Sequence, residues 1–381
     1  MGPGVGYDYL FEKKILQKKC NVFVIHLGKY HNPKNNIFSI KDKGYFKSYE
    51  IIKTIYKKNK IHIAHIRGFI SFKHLYLYLF LILLNIKFII TCHSQLTKYN
   101  LNHKLFYENP DIKKINLKNK DTKYQTSIIK KIYIFFKKFY LYSFGLFILK
   151  KAEALICFSK YEKQYAINFK KNIEILYEPN LTTLNKQKKT KKFNYYNKKD
   201  INIIYWGRLD FEMKGIDRII KLAKTISKHD PKNLVKIYLM GFDYNHGLSK
   251  IKNLISKLNL DKKVIITPSK IWKNTKNPLI KADYSILLSR WDGFPRSLRE
   301  SLYYNVPIIA SIETNFSDLI QNFKCGYVLK ESQINMNKFS KSLLLNKLLM
   351  KTHKQNCKKA LDAIHSKNIS KNLLKILIKY S

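Results

Sequence analysis

The chain has 381 residues, 45% of them hydrophobic, which is long enough for two ordinary domains with a core each. Its formal net charge is +48, from 73 Lys and Arg against 25 Asp and Glu, and a charge of that size says more about partners than about fold. No zinc-finger spacing, RNP-like signature or helix-turn-helix accompanies it, so nucleic acid is the weakest of the explanations.

Two other sources of the charge stay open. Lys, Asn, Ile and Tyr are abundant together, as AT-rich coding favours, which leaves Lys as the default solvated residue. An anionic membrane surface is the other, since each nearby Lys or Arg contributes about 1 kcal/mol there. The five cysteines, Cys20, Cys92, Cys157, Cys325 and Cys357, form no C-x-x-C pair. That pattern points to a reducing cytosol and away from a disulfide framework or a zinc site. Met1-Gly-Pro-Gly-Val-Gly6 is not a signal peptide. The longest apolar run, Leu75 to Leu84, is ten residues, too short to cross a bilayer. The expectation is a cytoplasmic protein, soluble or peripherally bound.

In chain order, the glycine-rich turn at residues 2–6 precedes a helix-like Tyr9 to Lys19 and a strand from Asn21. A doubly wound domain normally opens with an apolar strand before such a turn. That opening strand is missing from the sequence, which reads as an incomplete start or a truncated product. Residues 1–182 then alternate strand-like runs (Asn21 to His26, Ile61 to Ile66, Ile86 to Thr91, Ala154 to Phe158) with helix-like ones, implying a parallel sheet. The runs end beside Gly28, Arg67-Gly68, His93 and Ser159, where binding chemistry is expected. A lone His such as His93 is more often a structural hydrogen-bonder than a ligand; His62 and His65, flanking a buried-looking strand, are read that way.

Ile128 to Lys151 is basic and aromatic, with Lys130-Lys131 and Lys137-Lys138 repeating after seven residues, about two helical turns. It reads either as a core helix with a solvated lysine face or as a membrane-surface helix. Thr183 to Asp200, rich in Lys, Asn and Thr, reads as a linker. A second alternating region runs from Ile201 to about residue 350, and Lys354 to Ser381 carries a helical apolar pattern.

Two stretches of the second region carry the chemistry. Gly207-Arg-Leu-Asp-Phe-Glu-Met-Lys-Gly215 and Asp292-Gly-Phe-Pro-Arg-Ser-Leu-Arg-Glu300 both follow strand-like runs and precede helical ones, the junctions where open α/β sheets bind ligands. Arg208 and Lys214 place a planar fork and a mobile ammonium on one loop, which suits a diphosphate. The Gly293-Phe294-Pro295 turn feeds a helix whose free N–H groups near Ser297 and Leu298 attract phosphate. Glu300, one to two turns along, can accept hydrogen bonds from paired hydroxyls such as those of a ribose. Together they describe a nucleotide-sugar site.

At these residues the chain resembles glycosyltransferase family 4, in which a Gly-Arg…Lys-Gly loop and a Glu, seven residues, Glu motif hold the donor. The matching positions are Gly207, Arg208, Lys214, Gly215, Asp292 and Glu300, with Asp292 standing where the family has Glu. The resemblance continues through Asn305-Val-Pro-Ile-Ile-Ala-Ser311 and Cys325-Gly-Tyr-Val-Leu329. It implies α/β GT-B architecture: two Rossmann-like, doubly wound domains facing across a cleft, here 1–182 and 201–353 around a 183–200 linker, with a helical segment at 354–381 that can cross back. It also implies a retaining transferase with Arg208, Lys214, Asp292 and Glu300 as its catalytic set. Gly4, Gly6, His93, Gly207, Gly293, Phe294, Pro295, Ser297 and Leu298 are then the substrate contacts, and Gly241 keeps the next loop while Asp243 replaces a further glycine.

The implied partners are a nucleoside diphosphate sugar and a glycan or lipid-linked acceptor of a bacterial polysaccharide or lipopolysaccharide kind. The chain has no D-x-D element, and Arg208 with Lys214 supplies positive charge, so no metal cofactor is expected. The rival readings are a basic nucleic-acid-binding or scaffold protein on an inactive transferase fold, and a nucleotide-sugar epimerase.

Overall fold

The computed structural model of the chain describes residues 13, 16–26, 32–39, 44–68, 72–93, 96, 135–136, 139–177, 200–244, 246–268, 278–330, 333–345 and 347–381. They divide into two compact units, Met1–Leu181 with Ser366–Ser381, and Thr182–His365.

In the first unit a four-stranded parallel sheet runs in the order β3 (Ala64–Arg67), β4 (Phe88–Thr91), β5 (Ala154–Cys157), β6 (Ile173–Ile175). β4 and β5 are buried along their whole length, as parallel strands covered on both faces must be. The helices α1 (Tyr45–Lys58) and α2 (Phe72–Leu83) precede these central strands. α3 (Leu146–Lys151) leads into β5, and α4 (Lys160–Ala166) follows it. The Ser159 hydroxyl caps α4 by accepting from the Glu162 N–H at 3.1 Å, while the Glu162 carboxylate accepts from the Phe158 N–H at 2.8 Å.

The run at Asn21 to His26 behaves differently from the expected single sheet. Its ordered strand, β1 (Val24–His26), pairs in parallel with β2 (Ile37–Ser39) as a separate two-stranded sheet. β2 escapes sequence reading because it is three residues long. Asn36, in left-handed backbone, turns the chain just before it. The proposed gap at the start of the chain concerns residues outside those described, as do Gly4, Gly6, the Gly28 position and nearly all of the 183–200 linker.

The second unit is a six-stranded parallel sheet in the order β12 (Gly326–Leu329), β11 (Ile308–Ser311), β10 (Tyr284–Leu287), β7 (Ile201–Trp206), β8 (Val235–Gly241), β9 (Val264–Pro268). Counted within the unit this is the 6-5-4-1-2-3 order of the doubly wound Rossmann fold. β7 reads Ile-Asn-Ile-Ile-Tyr-Trp and is buried at its four central positions, the composition and burial of a two-face-covered strand. α5 (Ile216–Ser227) buries Ile216, Ile219, Ile220, Ala223 and Ile226, the i, i+3, i+4, i+7 spacing that holds one helix face against a sheet. α6 (Gly247–Lys257), α7 (Arg296–Tyr303) and α8 (Ser317–Phe323) alternate with the later strands. The unit ends in α9 (Gln333–Leu345) and α10 (Lys347–Ala363).

The stretch 354–381, read from sequence as one terminal segment, is divided between the units. α10 stays with the second, and α11 (Ser366–Tyr380) groups with the first. Ile369 and Leu373 of α11 are buried with Leu16, Ile89, Ile156 and Leu176. Lys379 Nζ and the Tyr380 hydroxyl both donate to Glu174 Oε1, at 2.7 and 2.9 Å.

One buried ion pair ties β8 to the turn ahead of β9. Lys263 Nζ lies 2.7 Å from Asp230 Oδ2, and Asp230 also accepts from the N–H groups of Leu234 and Val235 at 2.9 Å each. Burial alone would raise the Asp230 carboxyl. The Lys263 hydrogen bond and the two N–H groups outweigh it and hold the carboxyl below its ordinary value. A carboxyl lowered in the folded state contributes stability that is complete above its unfolded value, near pH 4, and lost as pH falls through its folded value. Thermal melts from pH 7 to pH 3 are therefore expected to drop more steeply on acidification for the natural chain than for Asp230→Asn, which also starts lower at pH 7.

Among the described residues no helix is long and apolar enough to cross a membrane. All five cysteines are free, four of them buried.

Candidate functional site

In the second unit β7, first in sequence, and β10, fourth, lie side by side, so the chain leaves their C-terminal ends in opposite directions. This is the topological switch point, and both sequence motifs leave from it. Residues 207–215 follow β7 and residues 288–295 follow β10.

The two loops are packed backbone to backbone. Gly215 has φ +66°, and a Cβ on it would lie 1.9 Å from the carbonyl oxygen of Leu288, so only glycine fits. The Arg290 N–H donates to the Met213 carbonyl at 3.0 Å. Its guanidinium grips both oxygens of Asp217, at 2.7 and 2.6 Å, and the Glu212 carbonyl at 2.6 Å. Asp210 shapes the same loop from inside, accepting from the Met213 N–H at 3.0 Å.

This packing brings Lys214 to Asp292. The ammonium lies 2.5 Å from Asp292 Oδ2, with both side chains largely buried, and the Ser289 hydroxyl lies 3.4 Å from the same oxygen. Asp292 also pairs through its backbone with Thr314, beyond β11. Arg208 is held by a different set: its carbonyl accepts from the Tyr205 hydroxyl, and its guanidinium stacks on the Tyr244 ring 4.4 Å from the centroid. A Cβ on Gly241 would stand 1.8 Å from the Gly207 carbonyl, which explains the glycine there. Asp243, at the place of a second family glycine, accepts from the Leu248 N–H at 2.9 Å and so caps the first turn of α6.

The second motif divides between core and ligand-facing atoms. Phe294 is buried against Phe316, ring centroids 4.4 Å apart, and Leu298 is fully buried. Both can therefore meet a ligand only through their backbone. Gly293 has no atom within 4 Å of where a Cβ would stand, so its backbone borders open space. Pro295 caps α7 without a side-chain hydrogen bond, leaving the N–H groups of the first turn, Ser297 and Leu298 among them, without that cap. Glu300 is buried, accepting from the Trp206 indole N–H at 3.1 Å and from Arg296 Nε at 3.0 Å. Arg296 is 60% exposed and can swing away, while Trp206 keeps the carboxylate oriented.

The switch point thus gathers Gly207, Arg208, Lys214, Asp292, Gly293 and Glu300. His93 belongs to the first unit, at the C-terminal end of β4, with left-handed backbone at φ +48°. Its ring meets Phe158 edge to face at 5.0 Å, and burial, then Arg67 and His65, pull its pKa down to about 3. The imidazole is therefore neutral at physiological pH. His65 makes a contact within the unit, its Nε2 2.7 Å from the Thr91 hydroxyl. Trp206 and Arg290 are the residues that sequence reading passed over. Arg290 stands two positions before Asp292, and Trp206 one before Gly207.

Residues 186–360, nearly the whole second unit, match the family model described as glycosyl transferases group 1. Solved structures match over both units. Alr3699/HepE of Anabaena in complex with UDP is similar at 12% identity with a TM-score of 0.64, over 100% of this chain and 98% of that one. A glycosyltransferase from Rickettsia africae is similar at 17% identity with a TM-score of 0.61, over 100% and 95%. Sucrose-phosphate synthase from Thermosynechococcus elongatus is similar at 13% identity with a TM-score of 0.59, over 98% and 92%. The fold is GT-B. No curated protein matches the chain.

The pairing of Lys214 with Asp292 leads to a prediction for the GT-B site. On the donor assignment proposed below, Asp292→Asn frees the ammonium, so a nucleoside diphosphate should bind at least as tightly by calorimetry, while turnover of its sugar conjugate should fall roughly 10- to 100-fold. Asp292→Glu, restoring the family's residue, should keep most of the turnover.

Proposed function

We propose that the protein is a glycosyltransferase that moves a sugar from a nucleoside diphosphate donor to a glycan or lipid-linked acceptor, with retention of anomeric configuration and without a metal ion. The observation that carries this reading is the Lys214–Asp292 pair at the switch point, on the stretch that matches the group 1 model. The second unit holds the donor. Arg208 and Lys214 meet the diphosphate, the first turn of α7 adds N–H groups to its distal phosphate, and Glu300 accepts the ribose hydroxyls. Asp292 and the open backbone of Gly293 face the sugar.

The carbon–oxygen bond between the anomeric carbon and the diphosphate breaks as the acceptor hydroxyl bonds to that carbon on the same face. Its proton passes to the leaving phosphate oxygen. Negative charge grows on the diphosphate during this step, so cations fixed beside it lower the barrier. His93, neutral and anchored in the first unit, hydrogen-bonds the acceptor or sugar. A bacterial cell-surface polysaccharide or lipopolysaccharide acceptor, reached from the cytoplasmic face of the membrane, fits this assignment.

The test is incubation with nucleotide sugars and candidate acceptors, with and without chelator, and NMR of the product's anomeric proton. UDP conjugates come first, since the Anabaena neighbour was crystallised with UDP and with UDP-glucose. A retained anomer formed at full rate in chelator supports the reading. An inverted product, or loss of activity on chelation, overturns the corresponding clause. Salt-sensitive binding to DNA or RNA with no turnover of any nucleotide sugar would favour the scaffold alternative.

A further inference from the structure

Among the described residues of 135–151, large apolar side chains stand in both buried and exposed positions. Tyr140, Ile148 and Leu149 are buried in the main cluster of the first unit. Phe135, Phe136, Phe139, Tyr142, Phe144 and Phe147 are each between 46% and 64% exposed. The sequence pattern allowed either a core helix with a solvated lysine face, which would have buried these rings, or a membrane-surface helix. A cluster of large aromatics in water marks an interaction surface.

Charge decides the occupant. The same segment ends in the exposed Lys150 and Lys151, and Lys130, Lys131, Lys137 and Lys138 stand beside the aromatics in sequence. A second copy of the chain would bring +48 against +48 across the contact. A membrane of anionic lipid takes both features, with rings in the acyl boundary and ammonium groups among the headgroup phosphates. Five of the six exposed rings are Phe, which suits an apolar phase better than a hydrated strand of nucleic acid. We infer that the exposed aromatic face of Phe135–Phe147 is a docking surface for an anionic lipid bilayer.

The surface is read without donor or acceptor, so its failure and that of the transfer reading are separable. The full-length chain is sedimented with phosphatidylglycerol-containing or pure phosphatidylcholine vesicles at low and high salt. The natural chain should partition about tenfold or more in favour of the anionic vesicles and keep part of that binding in high salt, since ring insertion is not screened. The combined Phe135→Ser, Phe139→Ser, Tyr142→Ser variant should lose it about tenfold, with donor binding unchanged. Phe139→Trp gives an independent readout should the triple variant fail to fold: its emission should shift to the blue and be quenched by brominated lipid. No vesicle binding by the natural chain, or emission indifferent to vesicles, overturns the inference. So would a dimer in sedimentation velocity that the triple variant dissolves, or oligonucleotide binding that depends on the same three rings.

Discussion

Replacing Lys214 by alanine is expected to lower kcat/KM for sugar transfer by roughly 10²–10³-fold, about 3–4 kcal/mol in the barrier. The loss should fall more on kcat than on KM, because the ammonium does most where charge is growing on the departing diphosphate. The geometry sharpens this. Lys214 is largely buried and held 2.5 Å from Asp292, so on the proposed donor assignment it is placed before the donor arrives and needs little reorganisation. Its removal also leaves the Asp292 carboxylate partly buried without that cation, and this repels a diphosphate as well. Arg208, stacked on Tyr244 and outside that pair, should show the opposite balance, with the larger effect on donor affinity. Steady-state kinetics of both variants separate the two roles, and equal effects on KM alone from both would contradict them.

Gly215→Ala is expected to destabilise the fold by roughly 2–5 kcal/mol, from left-handed backbone and from a methyl group driven into the Leu288 carbonyl in the loop after β10. The added Cβ would sit 1.9 Å from the Leu288 oxygen, so the loops after β10 and after β7 must part. Lys214 and Asp292 sit on either side of that seam, and the variant should lose transfer even at temperatures where it stays folded. Urea melts measure the first effect. Activity below the transition measures the second; a folded Gly215→Ala enzyme with full activity would mean that the seam does not set the site.

The site was legible where chemistry and backbone need coincide. Arg208 and Lys214 follow one strand-like run, and Asp292 and Glu300 follow another and flank a turn and a helix start, so residue types and spacing point to loops at strand-to-helix junctions. The alternation of strand-like and helix-like runs likewise yielded the parallel sheets, since fully buried strands such as Ala154–Cys157 are short apolar runs bounded by turns.

What stayed hidden depended on side-chain direction. Phe294 and Leu298 belong to the motif, yet their side chains face the core, and nothing in a string of letters separates a backbone contact from a side-chain one. The clasp of Arg290 on Asp217 joins residues 73 positions apart, and Trp206 reaches Glu300 over 94, distances no local pattern spans. The aromatic segment admits two readings from sequence, a core helix with a solvated lysine face or a membrane-surface helix. Periodicity found its two faces but could not tell which one the first unit buries.

The measurement closest to the central claim is a thermal-shift screen of the natural chain against UDP, GDP, ADP, CMP and their sugar conjugates, with Arg208→Ala and Glu300→Ala in parallel. At a ligand concentration about 100-fold above Kd, binding to the folded state adds about 2.7 kcal/mol. One nucleotide should raise the melting temperature of the natural chain, and neither variant should respond to it. A natural chain that melts cooperatively and responds to none of these nucleotides, or variants that respond as fully as it does, would contradict the placement of a nucleotide-sugar site at residues 207–215 and 292–300.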